Sequence, residues 1–259
     1  MLLIIKGAFA PSLLFQDYIL KRLTVLFFIL ISFTTHSAEL CKEEFQNIGA
    51  IYQITNSQSD GKNTAQQKTL QLWRSPKQVI YTYSAQAVSE QWRLLSNQRI
   101  QLTRYFDQFE RGIEYQAADM PDFKQNANHW LSKYQMIAPS LLEQLQKVKS
   151  INTGCTENIV YQSKQTAQTQ IRLNWNPHYQ LPTKLTIRQG QQLTVWELTE
   201  LITDPQKLQQ NHDQREHYQL TDYADIGDNE ADPFLAKMIN QGFIEHSHSG
   251  FYNADGDHM

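Results

Sequence analysis

Leu70-Gln-Leu-Trp-Arg-Ser-Pro-Lys-Gln-Val-Ile-Tyr-Thr-Tyr83 is the stretch that decides the fold. Leu70 and Leu72 alternate with polar residues, and Ser75-Pro76-Lys77 supplies turn chemistry. Val79, Tyr81 and Tyr83 then share one face of a second strand. A period of two is the mark of a half-buried strand, and a short polar turn between two such runs makes them antiparallel neighbours.

The same period extends in both directions. Upstream, Gly49 to Thr55 reads as a strand, followed by a polar loop from Asn56 to Gln67. Downstream, Trp92 and Leu94, then Ile100 and Leu102 beyond a turn at Asn97-Gln98, then Ile113 and Tyr115 complete a first meander, with Gly112 expected at a bulge. The period then changes. Phe123, Ala127, Trp130, Leu131 and Tyr134 recur at helical spacing, so 122–135 reads as an amphipathic helix. A second helix is expected over 139–149, with Pro139 in its first turn, a Ser140–Glu143 capping box and a stripe of Leu141, Leu142, Leu145 and Val148. Strands return at Ile159–Tyr161, Ile171–Trp175 and Leu185–Ile187. A hairpin at Gln189-Gly190 leads into Leu193–Ile202, and Tyr218–Tyr223 reads as a last strand. The fold class is α+β: a strongly curved, mostly antiparallel sheet, an open or half barrel, covered by helices.

The meander, helix pair and second meander resemble the lipoprotein-carrier fold of the bacterial periplasm, an open barrel with a helical lid. The wording is closest over Trp175-Asn176-Pro177, Leu181-Pro182-Thr183-Lys184-Leu185, Gln189-Gly190 and Val195 to Ile202. The resemblance implies a fold and a role in binding an apolar ligand or a lipidated protein. It carries over no functional residue.

The N-terminal stretch gives an address. Lys21-Arg22, the apolar run Leu23–Phe33 and the exit Thr34-Thr35-His36-Ser37-Ala38 have the layout of a cleaved signal peptide, too short for a membrane span of about 20 apolar residues. Residues 1–20 precede the positive flank, and translation is expected to start near Leu20 or Leu23. Export to the periplasm of a Gram-negative bacterium follows. Glu39-Leu40 ahead of Cys41 are not the small residues of a lipidation site, so no membrane anchor is expected. Cys41 and Cys155 are the two cysteines of the chain, and in an exported protein they most simply form one disulfide. Residues 39–259 are expected to form a single domain.

Charge is uneven. The segment 221–259 carries −7, whereas 39–220 carries about +2. A basic nucleic-acid footprint is absent. Asp225, Asp228 and Glu230 are candidate partner-binding residues in the acidic segment, although their spacing fails the calcium-loop template. The same run has a structural reading. Asp232 caps a helix opened by Pro233, whose Phe234, Leu235, Met238 and Ile239 are the buried stripe. His246, His248 and His258 with Asp255 and Asp257 offer metal-ligand types in a terminal turn, and no metal or cofactor is assigned.

Trp73, Tyr81, Tyr83, Trp92, Trp130 and Trp175 are the candidate ligand-binding residues. Large aromatics facing a curved sheet either line a pocket or fill the core, and both readings stay open. No Gly-x-Ser-x-Gly elbow, Cys-His pair or phosphate loop is present. Glu90, Glu110 and Glu197 read as isolated acids on exposed strand positions. The functional readings are therefore, in order, a non-catalytic binder of an apolar ligand or lipidated protein, an accessory factor that engages a periplasmic partner through the acidic segment, and a hydrolase.

Overall fold

Twelve strands join in one sheet in the order β12-β6-β5-β4-β3-β2-β1-β11-β10-β9-β8-β7. The computed structural model describes residues 46–58, 65–120, 125–151, 157–164, 168–227 and 231–241. The first meander is β1 (Ile48–Gln58), β2 (Gln66–Ser75), β3 (Gln78–Tyr83), β4 (Val88–Leu94), β5 (Ile100–Phe106) and β6 (Arg111–Tyr115). The second is β7 (Gln146–Ile151), β8 (Asn158–Gln162), β9 (Thr169–Asn176), β10 (Leu181–Gln189) and β11 (Gln192–Ile202). β1 pairs antiparallel with β11, from Gly49 opposite Ile202 to Gln58 opposite Gln192, and so fuses the two meanders. β12 (Gln219–Asp222) adds to the far edge alongside β6, and this pair is parallel. Among the described residues the sheet is open, with β12 and β7 as its edges.

Strand alternation sorts the side chains onto two faces. Ile48, Ala50, Tyr52, Leu70, Leu72, Val79, Tyr81, Trp92 and Leu102 lie on one face, in the main apolar cluster. Helix α1 (Ala127–Gln135) adds Trp130 and Tyr134 to that cluster, and α4 (Pro233–Asn240) adds Phe234, Leu235 and Met238. The opposite face holds a small cluster of Trp73, Ile80 and Ile202, joined by Leu208 of α3 (Pro205–Asp213). The molecule is thus α+β with the sheet dominant, and helical residues meet both faces.

The local reasons are mostly plain in the sequence. Asn126 accepts from the His129 amide to start α1, and Met136 ends it in the left-handed region. Asp204 accepts from the amides of Gln206 and Lys207 ahead of Pro205. Asp232 accepts from the Phe234 amide ahead of Pro233, as expected, and the same carboxylate pairs with Arg111 at 2.8 Å. Gly190, at φ +58°, makes the expected hairpin turn.

Three expectations need correction. The helix expected over 139–149 is α2 (Pro139–Gln144), capped by the Ala138 backbone without a side-chain bond, so the Ser140–Glu143 box does not form. The chain turns extended at Leu145 and continues as β7, because β8 offers an edge to pair with. Val148, the last residue of the supposed helical stripe, is 49% exposed. Gly112 is not at a bulge, since it pairs in register with Tyr105. Trp73 does not join Tyr81, because it belongs to the other face.

Gly49 shows how closely that second face is built. A Cβ at Gly49 would stand 2.8 Å from two atoms of the Trp73 ring and 3.2 Å from Ile202 Cβ. Trp73 lies directly opposite Gly49 across β1 and β2, so its indole packs against bare backbone. Gly49→Ala is expected to lower stability by about 1–3 kcal/mol through overpacking. Urea unfolding checks this, and the cost should shrink in a Trp73→Leu background, where the ring is gone.

Candidate functional site

The main apolar face carries charges. On β4, alternation turns Val88, Glu90 and Trp92 to the same side; on β5 it turns Leu102, Arg104 and Phe106 there. Glu90 and Arg104 are register partners, so the pairing itself brings them together. Arg104 Nη2 donates to Glu90 Oε1 at 2.9 Å and Nε to the same oxygen at 3.3 Å. Both residues are buried. Glu90 was expected on an exposed position, and it is interior because β4 has both of its faces covered. Glu110 and Glu197 are exposed, and Glu197 meets Lys184 at 3.2 Å.

A third charge arrives from the helix. Lys133 of α1 is only 8% exposed, and its Nζ stands 4.2 Å from the Trp92 ring centroid. Burial pushes its pKa down to about 8, with Glu90 raising it and Arg104 lowering it further. Burial also works against the Arg104 charge, yet Glu90 and the phenols of Tyr115 and Tyr83 hold its pKa above the usual value. The Tyr83 phenol, raised chiefly by burial and then by Glu90, stands beside this pair. The result is a small ionic group set in an aromatic wall, where removing Glu90 or Arg104 leaves a buried charge uncompensated.

Around it, directional bonds fix α1 to the sheet. The Tyr81 hydroxyl donates to the Lys133 carbonyl. Arg74 on β2 is fully buried, and its Nη1 donates to Tyr134 O at 3.0 Å and to Gln180 O at 3.5 Å, while Nη2 donates to Tyr179 O at 2.6 Å. Its guanidinium also lies 4.4 Å from the Tyr134 ring centroid. A cation at the carbonyl end of a helix is favoured by the helix dipole. Arg74 therefore ties three pieces together: β2, the end of α1 and the turn between β9 and β10.

Of the candidate ligand-binding residues, Tyr81, Tyr83, Trp92, Trp130 and Trp175 lie in or against the one main cluster, and Trp73 lies across the sheet from them. Of the candidate partner-binding residues, Asp225 is exposed in a short 3-10 turn, Tyr223–Asp225; Asp228 and Glu230 lie outside the described residues. The leader, Cys41, Cys155, His246, His248, His258, Asp255 and Asp257 also lie outside them. Among the described residues no group of three or more His, Cys, Asp or Glu could hold a metal ion.

A second polar group lies on the other face. Arg215 Nε donates to Asp107 Oδ1 at 2.8 Å, and its Nη2 donates to Ser89 Oγ at 2.8 Å. Ser89 Oγ in turn donates to Asp107 Oδ2 at 2.7 Å. Nearby, Gln91 accepts from Tyr105 and donates to Gln78, whose Nε2 stands 2.9 Å from His212 Nδ1. These bonds fasten α3 and the turn after it to β3, β4 and β5. Among the described residues no histidine is hydrogen-bonded to Ser89.

No protein-family model and no curated protein matches the chain. Among solved structures it is similar to PNGF-II, at 8% identity over 68% of this chain and 31% of that one, with a TM-score of 0.36. It is similar to MucB in the Pseudomonas aeruginosa MucA/MucB complex, at 15% identity over 65% of this chain and 58% of that one, with a TM-score of 0.29. It is also similar to a LolA superfamily protein from Nitrosomonas europaea, at 7% identity over 68% of this chain and 97% of that one, with a TM-score of 0.30. The chain thus spans less than two thirds of the length of PNGF-II and of MucB. Among the described residues no helix is long and apolar enough to cross a membrane.

Two outcomes follow from the buried charges. Lys133 has a depressed pKa when folded, so between about pH 8 and its unfolded value of 10.5 the unfolded chain binds the extra proton. Its burial penalty is complete below pH 8 and fades as pH rises. Wild type should therefore gain stability relative to Lys133→Met between pH 7.5 and 9.5, by up to about 2 kcal/mol in paired urea titrations. Above pH 10 both proteins lose stability in absolute terms, because the raised folded pKa values of Tyr52, Tyr81 and Tyr83 favour the unfolded phenolates. Arg74→Leu removes the donor that serves three carbonyls, and should cost about 2–4 kcal/mol. Amide exchange should quicken in 127–136 more than in β3 and β4.

Proposed function

We propose that the chain is an exported, non-catalytic binding protein whose ligand is apolar, either a free amphiphile or the acyl chain of a lipidated protein. One observation carries this reading. Tyr81, Tyr83, Trp92, Trp130 and Trp175 belong to a continuous apolar surface between one sheet face and α1, and the end of α1 is fastened by a few directional bonds from Arg74 and Tyr81. A helix held this way opens by losing those bonds and bares aromatic surface, against which an acyl chain is buried at about 0.8 kcal/mol per CH2. The sheet curls around this surface with the helices as its cover. Residues 39–259 are the working domain, released into the periplasm by cleavage after Ala38 and stapled by Cys41–Cys155. The leader at Lys21–Ala38 supports the address, and the missing catalytic motifs support a binder over an enzyme.

A second reading has a periplasmic partner protein docked on the acidic segment at Asp225, Asp228 and Glu230. The exposure of Asp225 supports it. The segment is also structural, since β12 and α4 are built into the sheet edge and the core, so only surface substitutions such as Asp225→Asn separate partner loss from unfolding.

The first reading is tested by expressing the full chain with its leader and recovering the exported product. Native mass spectrometry should find a lipid-sized adduct that organic extraction removes, and the extracted protein should bind a fluorescent fatty-acid probe. A clean unliganded mass together with no probe binding would overturn it.

A further inference from the structure

Holding α1 in place does not explain Lys133. A lysine is a costly residue at an apolar helix–sheet contact, where methionine or leucine would seat the helix without desolvating a charge. Its ammonium nevertheless sits 4.2 Å from the Trp92 ring centroid, and with a pKa of about 8 it stays charged at neutral pH. Glu90, two residues before Trp92, shares that sheet face. Its Oε1 is engaged by Arg104, while its Oε2 is buried without a hydrogen-bond partner. Tyr83 flanks the same carboxylate. The negative face of an indole beside a carboxylate oxygen is the chemistry that recognises an ammonium.

Resting on the binding reading above, we infer that the Trp92–Glu90–Tyr83 corner is an ammonium-binding site, that Lys133 is its resident occupant, and that the ligand admitted beneath α1 carries a cationic amine on its apolar chain. Whatever enters beneath the helix displaces Lys133 and inherits its surroundings. An anionic head would there lie against an electron-rich ring face and the buried oxygen of Glu90, both repulsive to it. A cationic head would regain what the lysine gave up. Arg104 keeps its partner throughout, so exchanging one ammonium for another leaves the net charge of the buried group unchanged.

The test compares four amphiphiles of equal chain length on the full-length exported protein at pH 7, below their micelle concentrations: dodecylamine, dodecyltrimethylammonium, dodecanol and dodecanoate. Binding is read by tryptophan fluorescence and calorimetry. The amine should bind about tenfold more tightly than the alcohol and the carboxylate. Lys133→Met, which removes the resident competitor, should raise the amine-to-alcohol ratio further, and Glu90→Gln should abolish it. Lys133→Met keeps the Glu90–Arg104 pair, so it decides the matter if Glu90→Gln fails to fold. Dodecanoate binding as tightly as the amine, or an unchanged ratio in Lys133→Met, would overturn the inference and leave the apolar-ligand reading standing. Failure of all four to bind would overturn both.

Discussion

The antiparallel seam between β1 and β11 is the constraint on which the rest of the structure depends. It joins residues 134–153 apart in sequence, and without it the two meanders would be separate sheets, each with an uncovered edge. Side chains reinforce it: Thr194 donates to Asn56 at 2.8 Å, and Thr199 donates to the Ile51 carbonyl at 3.0 Å. Two contacts that matter for the site also cross it. The Tyr52 hydroxyl reaches the Pro182 carbonyl at 2.9 Å, and Arg74 reaches the carbonyls of Tyr179 and Gln180. The end of α1 is thus anchored to both meanders at once, through an arginine that only the seam brings within reach of the β9–β10 turn.

The charged group on the apolar face depends on a different fact, the strict register of β4 against β5. A shift of one residue would separate Glu90 from Arg104 and send one of them to the opposite face. Pairing like this is a poor way to gain stability, since the desolvation of both partners consumes most of the attraction. It penalises every wrong register heavily, because each leaves a bare charge in apolar surroundings. The ionic pair therefore helps to fix one alignment of a sheet whose neighbouring positions, Val88, Trp92, Leu102 and Phe106, would tolerate several.

Much of the fold was legible. Strand alternation placed eleven of the twelve described strands, and Pro139, Asp232 and Gly190 marked helix starts and a turn where the structure has them. What was lost followed from tertiary contacts. Residues 146–151 carry a helical stripe, and they form a strand because β8 presents unpaired backbone there. Residues 205–213 are polar on most sides and show only Leu208 to the core, too faint a stripe to read. Trp73 and Glu90 were misplaced for one shared reason. The runs Leu72-Trp73 and Val79-Ile80-Tyr81 put apolar residues on both phases of the alternation, which signals a strand covered on both faces. Reading that signal would have separated Trp73 from Tyr81 and brought Glu90 inside, and with it the Arg104 opposite.

The bonds that hold α1 derive their strength from being dry. Hydrogen bonds and ion contacts in a low-dielectric interior are several times stronger than the same contacts in water, and they weaken together when water enters. Arg74, Tyr81 and Lys133 act within two consecutive residues of α1, Lys133 and Tyr134, so a single breach wets all three. The helix end is consequently disposed to be either fully seated or fully released. Lys133 sharpens that choice, because its ammonium is desolvated when seated: its hydration on release offsets part of what the Arg74 and Tyr81 bonds lose. A seated helix that already carries part of the cost of opening is suited to yield to a ligand that replaces the ammonium it withdraws.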